Sequence, residues 1–264
     1  MTQGLHLYRD LAPYYDLQNS WKDYRDEVRR LEVIVRRYGR SGGRSWLDVA
    51  CGTGRHLDIL RHQHDCAGVD ASPEMLRVAR RRLPGVRLVR GDMRTFSLDR
   101  EFDVVSCLFS AIGHLRTERD VGRAFSRFAA HLKPGGVAIV EPWILPSRAK
   151  PGHVHLTTYQ NRNLTLVRLA YSRVRGRRTR IQYIHLIGIV GRGIRFLEEV
   201  DHGLMVDPAG LERLMRRAGL KPHFFARGFT RDRGLLIGVK PRGARAAREK
   251  GGSRFHGGRS TSSL

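Results

Sequence analysis

Apolar residues in this chain fall into short runs separated by glycine turns and charged stretches. In the first half the runs follow a strand, turn, helix order. Residues 45–49 form an apolar strand that leads into Ala50-Cys51-Gly52-Thr53-Gly54 and a helix start at Arg55-His56-Leu57. A second strand ends in Ala67-Gly68-Val69-Asp70, a third covers 86–93, a fourth 102–109, and Lys133-Pro134-Gly135-Gly136 turns into a fifth that runs to Val140. The pattern then changes. Residues 154–160, 164–173 and 179–190 are rich in Thr, Val, Ile, Leu and Tyr with partial alternation, and turns at 161–163 and 175–177 separate them, which predicts an antiparallel meander. A helix over 208–218 follows, with Asp207 placed to cap it, and 221–227 and 234–240 predict a closing antiparallel pair.

The order of the first five strands gives the glycine turn a chemical reading. Gly52 and Gly54 tolerate backbone angles that other residues resist, and without a Cβ they let a bulky ligand approach the chain. Asp70, at the end of the second strand about twenty residues on, stands where a carboxylate binds ribose hydroxyls. Asp92 and Met93, after the third strand, stand where an acid and an apolar side chain meet an adenine ring. Each acid taken alone fits a helix cap or a solvated loop; the ordered set predicts a nucleotide-like ligand. A dinucleotide-dependent dehydrogenase also pairs a glycine turn with an acid, but Asp92 and the Lys-Pro-Gly-Gly turn have no role in that scheme.

Composition narrows the class. The 264 residues, 41% of them hydrophobic, suit one α/β domain with an embellishment. No run approaches the ~18 apolar residues of a membrane span, and an N-terminus carrying Asp10, Asp16 and Asp23 does not read as a signal peptide. Cys51, Cys66 and Cys107 lie in or beside predicted strands without metal-ligand spacing, so the expectation is buried free thiols in the cytoplasm and no metal site. The 49 Lys and Arg against 25 Asp and Glu give a formal charge of +24, which favours anionic partners. Part of that charge lies in 241–264, where Arg and Lys sit among Gly, Ser and Ala without apolar period, and disorder is expected there. The rest is concentrated inside folded sequence: from Pro151 to Leu197 there is no Asp or Glu but there are nine Arg.

The glycine loop, Asp70, Asp92 and the Lys-Pro-Gly-Gly turn resemble, in order, the class I S-adenosylmethionine-dependent methyltransferases. The family's first loop glycine is Ala50 here. Tyr14-Tyr15-Asp16, Lys22-Asp23-Tyr24, Gly91-Asp92-Met93-Arg94, residues 109–115, Glu141-Pro142-Trp143 and residues 233–239 are similar to the N,N-dimethyltransferases of nucleotide-linked amino sugars of the desosamine and mycaminose type. The likeness runs to about Val239. The segment between Asp16 and Lys22 departs from it, being shorter, with Gln18 or Asn19 where a tyrosine is expected. The resemblance implies a Rossmann-like α/β sheet with an inserted antiparallel meander. It divides the chain into a helical lid (1–40), a cofactor-binding core (41–150), the meander (151–206), a closing helix and hairpin (207–240) and a basic tail (241–264).

For function it implies an N-methyltransferase acting on a small amine, with S-adenosylmethionine as cofactor, in antibiotic biosynthesis. Cofactor binding falls to Tyr15, Tyr24, Ala50, Gly52, Gly54, Asp70, Asp92 and Met93, with the tyrosine hydroxyls on the methionine carboxylate and their ring faces toward cationic charge. His114, after the fourth strand, lies beside the amine, where an imidazole can accept a proton at neutral pH; Tyr14 is its substrate-side partner. Trp143 walls the sugar site, and Arg178 and Arg233 grip the diphosphate, since guanidinium forks match phosphate oxygens. Each of these aromatics fits plain core packing equally, and His114 fits a surface or cap role. The alternatives are another small metabolite, a cofactor-binding scaffold without catalysis, or RNA or DNA bound by the basic meander and tail. Nucleic acid is disfavoured, since no Asn/Asp-Pro-Pro-Tyr-type strand end follows the fourth strand. An edge-exposed meander is also placed to pair across a homodimer.

Overall fold

The computed structural model describes residues 5–230 and 232–242. The basic tail beyond Arg242, expected to be disordered, lies outside the described residues.

Strands β1 (Ser45–Val49) and β4 (Phe102–Cys107) are buried at every position, as central strands covered on both faces must be. With β2 (Asp65–Asp70), β3 (Arg87–Arg90), β5 (Leu132–Val140), β10 (Lys221–Phe225) and β11 (Leu235–Val239) they form one seven-stranded sheet in the order β10-β11-β5-β4-β1-β2-β3. The first five strands are parallel; β11 runs antiparallel to β5, and β10 antiparallel to β11.

Alternation along each strand divides the core into two layers. Leu47, Val49, Val105 and Val140 face α5 (Glu118–Ala130) and α6 (Pro208–Arg217), packing with Phe125, Phe128 and Leu211. Trp46, Val104, Val137 and Ile139 face the other way, onto Leu31 of α2 (Tyr24–Tyr38), Leu57 of α3 (Arg55–Leu60) and Leu76 of α4 (Pro73–Arg82). Helix starts are set by side-chain caps: Ser72 Oγ accepts the Met75 N–H at 3.0 Å, and Asp207 accepts the Gly210 N–H at 2.7 Å, each followed by proline at the first helical position. The Asp207 cap is the one expected from sequence.

A separate four-stranded antiparallel sheet, β6 (Val154–Gln160), β7 (Leu164–Arg175), β8 (Arg178–Ile189) and β9 (Gly193–Leu204), is inserted between β5 and α6. The sequence pattern predicts three of these strands and misses β9, whose Glu198, Glu199 and Asp201 interrupt the apolar run. Pairing supplies what the pattern lacks: β9 matches β8 without a break from Ile189↔Gly193 to Arg178↔Leu204. The inner face of this sheet packs Leu166 and Ile187 on Leu11 of the N-terminal segment. That segment consists of two 3-10 turns (His6–Tyr8 and Ala12–Tyr14) and α1 (Tyr15–Gln18), and it covers the C-terminal ends of the parallel strands.

Candidate active site

After Val49 the chain turns sharply through Ala50, Gly52 and Gly54, with φ of 59°, 55° and 78°. A Cβ on Gly54 would lie 2.5 Å from Leu83 Cδ1, so close helix packing as well as the positive φ demands glycine there. Ala50 holds the left-handed conformation without that freedom, a local strain at the floor of a cavity. Asp70 fastens the turn from β2: one carboxylate oxygen accepts the Gly52 N–H and the other the Ser72 N–H, both at 2.8 Å. Burial pushes this carboxyl up, against the pull of those hydrogen bonds.

The turn floors a cleft of about 680 Å³, its open mouth included. Ala50, Gly52, Asp70 and Met93 line it, with Tyr8, Tyr15 and His114 on the opposite side. Asp92 does not. Its carboxylate is turned away by Arg94, which donates from its backbone N–H (2.9 Å) and Nε (3.0 Å) to Oδ1 and from Nη2 (2.6 Å) to Oδ2; this fork holds the Asp92 carboxyl below its usual range. An adenine contact there must compete with the fork.

A smaller lobe of about 370 Å³ continues between Gly52, Tyr15, Tyr24, Arg55 and His56. The Arg55 guanidinium lies 5.0 Å from the Tyr24 ring centre, and the buried Lys22 ammonium 4.5 Å from that of Phe109. Lys22 also pairs with Glu27, whose second oxygen meets His56 Nε2 at 2.7 Å. Burial pushes the Glu27 carboxyl up, but His56 and Lys22 together hold it below its ordinary value. Asp48, fully buried beneath this lobe with the Ser106 hydroxyl at 2.7 Å, is pushed by burial up to about 6. The lid is tied to the loop by Asp16, which accepts from Thr53 Oγ1 (2.6 Å) and Arg82 Nη2 (2.5 Å), and by Tyr8 O, which accepts from Ser72 Oγ (2.6 Å).

A larger cleft of about 1220 Å³ opens between the lid, the end of β4 and the inner face of the meander. Trp143 forms part of its wall. The indole is wedged between the His114 turn and β9: a Cβ on Gly113 or Gly203 would come within 2.5 Å or 2.1 Å of it, and its Nε1 donates to Thr179 Oγ1 at 2.9 Å. Arg233 sits beside Phe109, its Nη1 4.0 Å from Glu141 Oε1. Arg233 Nε and Nη1 and Arg168 Nε are buried donors without a hydrogen-bond partner among the described residues, while Arg168 Nη2 donates to Thr157 Oγ1 at 3.4 Å.

His114 borders both clefts. Its Nε2 lies 3.1 Å from Tyr8 Oη, and its Nδ1 lies 3.3 Å from Asp201 Oδ1, an ion-pair distance without full hydrogen-bond alignment. Burial pushes the Asp201 carboxyl up, but contact with His114 outweighs it and leaves the group below its usual range.

Two expected site residues fall elsewhere. Tyr14 packs on the Leu11, Leu166 and Ile187 cluster, because the 3-10 turn that ends in it directs its ring to the meander core. Tyr8, one turn earlier, is the phenol that reaches His114. Arg178 leaves the large cleft because β8 begins at its far end; there its Nη2 donates to Arg116 O at 2.8 Å, on an outer cleft shared with His114 and Asp201. Tyr8 and Asp201 were missed by sequence reasoning, and Arg168 was not singled out from the nine meander arginines. Only Asp201 left a signal, an acid within an otherwise alternating segment after a long acid-free run.

A family model described as a methyltransferase domain matches residues 47–136, the glycine loop through the Lys-Pro-Gly-Gly turn. The dTDP-3-amino-3,6-dideoxy-alpha-D-glucopyranose N,N-dimethyltransferase of Streptomyces fradiae is 41% identical over 233 residues, covering 87% of this chain and 91% of that enzyme. The chain belongs to the amino-sugar N,N-dimethyltransferase family. This methyltransferase is also 37% identical to the dTDP-3-amino-3,4,6-trideoxy-alpha-D-glucopyranose N,N-dimethyltransferase of Streptomyces venezuelae, over 87% of this chain and 98% of that one. Among solved structures it resembles DesVI of Streptomyces venezuelae with a TM-score of 0.81 at 35% identity, covering 88% of this chain and 97% of that chain. The S-adenosylmethionine-bound amino pentose methyltransferase of Micromonospora echinaspora gives a TM-score of 0.75 at 35% identity, with 83% and 92% covered.

The enzyme is an S-adenosylmethionine-dependent methyltransferase with the class I fold. The site suits that cofactor. The Asp70 carboxylate, an apolar Met93 and a cation beside aromatic rings follow one another along two connected lobes. Among the described residues no helix is long and apolar enough to cross a membrane, and no His, Cys, Asp and Glu cluster forms a metal site.

Proposed function

We propose that the enzyme methylates the amino group of a nucleotide-diphosphate-linked amino sugar. The observation that carries this reading is the pair of half-buried guanidiniums, Arg233 and Arg168, that line a cleft meeting the cofactor lobe at His114. A guanidinium is the cation suited to the oxygens of a diphosphate. Trp143 supplies a flat wall for the sugar.

Bound S-adenosylmethionine supplies an electrophilic methyl group on a sulfonium. Asp70 would hold its ribose and Met93 the adenine face, Tyr15, Tyr24 and Arg55 would hold the methionine end, and Asp92 would contribute to adenine recognition only by sharing its carboxylate with Arg94. The lid residues Tyr8 and Tyr15 close over the reacting atoms and exclude water. In-line transfer to a nitrogen lone pair then depends mainly on alignment, and on an amine that arrives without its extra proton. Tyr8 and His114 are the polar groups that border cofactor lobe and substrate cleft together with Tyr15.

The nucleic-acid reading is weaker, because Arg168 and Arg233 lie within the cleft and not on an exposed face. The three cysteines are buried and free, in keeping with a reducing, cytoplasmic setting. Incubation of the enzyme and S-adenosylmethionine with dTDP-linked amino sugars, followed by mass spectrometry, tests the proposal. A mass gain of one or two methyl groups on the sugar is expected; methyl label in RNA with none on the sugars overturns it.

A further inference from the structure

Among the described residues His114 alone borders the cofactor cleft, the substrate cleft and an outer cleft of about 1440 Å³, its open mouth included, between the lid, Arg116 and β9. The three side chains in line there run inward to outward. Tyr8 Oη borders cofactor and substrate, His114 Nε2 lies 3.1 Å from it, and His114 Nδ1 lies 3.3 Å from Asp201, which borders the outer cleft. We propose that Tyr8, His114 and Asp201 form a single proton path from the amine to the outer cleft, with Tyr8 meeting the amine and Asp201 acting as the positioning residue for His114. The proposal rests on the amine-methylation reading above.

Methyl transfer makes the need for such a path explicit. The C–S bond breaks, its electrons stay on sulfur, and the nitrogen lone pair forms the N–CH3 bond, leaving an ammonium. That ammonium must lose a proton before a second methyl can be accepted. In the path, the ammonium gives its proton to Tyr8 Oη while the phenolic hydrogen of Tyr8 passes to His114 Nε2, so the phenol is never ionised. This suits a phenol whose ionisation burial strongly opposes. His114 becomes an imidazolium beside the Asp201 carboxylate and passes its Nδ1 proton by way of Asp201 to water of the outer cleft; between transfers Nε2 gives its proton to water of the substrate cleft while Nδ1 regains one through Asp201, which restores the starting tautomer. Charge and hydrogen count balance at every step, and no further reactant is required.

Asp201 fixes the starting state. A buried, ionised carboxylate at Nδ1 selects the tautomer that carries the proton there, which leaves Nε2 bare to accept from Tyr8. Its other contact is the backbone N–H of His202 at 2.7 Å. The neighbouring ionisable groups do not compete for the proton. Glu199 is taken by His185 Nε2 at 2.9 Å and by the Leu7 N–H at 3.2 Å, and Asp70 by the glycine loop. Burial pushes the Tyr183 phenol up to about 12 and raises Tyr15 as well. His6, Arg116, Arg178, Glu198 and the His202 ring line only the outer side, where the proton leaves.

The test compares wild type with Asp201→Asn, Tyr8→Phe and the double variant in single-turnover methyl transfer, with cofactor affinity measured alongside. Near neutral pH each single variant is expected to lose about 10²-fold in transfer rate and to accumulate monomethylated product. Both should recover toward wild type in more alkaline buffer, where the amine arrives neutral from solvent. The double variant should be no slower than either single one, as for residues acting in one unit. Loss that is independent of pH, or that multiplies in the double variant, overturns the path. Nitrogen NMR of the free enzyme separates this from a failure of the substrate reading: His114 should carry its proton on Nδ1 in wild type and lose that preference in Asp201→Asn, whatever the enzyme methylates. Protonation on Nε2 in wild type also overturns it.

Discussion

Glu141 accepts the backbone N–H of Phe109 at 2.7 Å from a fully buried position, and its other oxygen lies 4.0 Å from Arg233. One carboxylate thus holds the end of β4, where Phe109 and Ser110 take φ of 52° and 62°, and faces the cation of the substrate cleft. Burial pushes this carboxyl up, with Arg233 opposing.

Glu141→Ala leaves the Phe109 N–H without its acceptor and should cost about 1–3 kcal/mol of stability. Because the His114 turn follows directly, turnover should fall while cofactor affinity changes little. Glu141→Gln keeps an acceptor oxygen and should retain most of the stability. Thermal melting and calorimetry with S-adenosylmethionine check both; an equal melting loss in the two variants contradicts the role of the hydrogen bond.

Asp70→Ala removes the acceptor of two loop N–H groups together with the proposed ribose contact. Cofactor affinity should fall by about 1.5–3 kcal/mol, roughly ten- to a hundredfold. Calorimetric titration giving an unchanged Kd rules out the ribose assignment.

Arg233→Ala should raise KM for the nucleotide sugar about tenfold or more, the scale of a charged hydrogen bond, and leave cofactor affinity intact. Arg168→Ala should act in the same direction. Arg178→Ala should leave KM unchanged, since Arg178 faces the outer cleft. A KM raised only by Arg178→Ala would reverse the assignment.

Asp103 accepts from Lys133 Nζ (2.8 Å) and from the Ser45 N–H and hydroxyl (2.9 and 2.5 Å), tying the Lys-Pro-Gly-Gly turn to β1. Burial opposes ionisation, but these donors prevail and hold the carboxyl well below its usual range. A carboxyl with a depressed folded-state pKa adds stability that is present above the unfolded value, about 4, and is lost as pH falls toward the folded one. Stability should therefore decline below about pH 4 less steeply in Asp103→Asn than in wild type. At neutral pH the variant should be less stable by about 1–3 kcal/mol. Parallel pH–stability curves for the two proteins would show that Asp103 does not contribute.

The outward face of the meander carries Val154, Leu156, Leu169, Leu186, Ile194 and Phe196, all exposed. Their register aligns Leu156 with Leu169 and Leu186 with Phe196 across neighbouring strands. We propose that this apolar patch, bordered on the same face by the exposed Arg173, Arg180 and Glu198, pairs with a second copy of the chain across a two-fold axis. Sedimentation should give a dimer for wild type and a monomer for Phe196→Arg, with cofactor binding preserved. A wild-type monomer at high protein concentration excludes the assignment.

The sequence by itself determined the parallel core, the glycine loop, Asp70, and the place of His114. Those features depend on local rules: buried strands need apolar runs, a left-handed turn favours glycine, and a βα unit fixes how far an acid lies from the loop. The three apolar strands of the meander were legible for the same reason. Tertiary structure alone decided what depends on a partner distant in sequence. β9 exists because twelve positions pair with β8, whatever its own acids suggest. Asp92 is occupied by Arg94 through a fork that spacing cannot foretell. Tyr8, and not Tyr14, meets His114 because the lid docks Leu11 and Tyr14 into the meander core, which turns one phenol inward to packing and leaves the other over the site. A period in the sequence records which side chains must leave water; it does not record which distant surface receives them, and that choice placed the polar groups of this site.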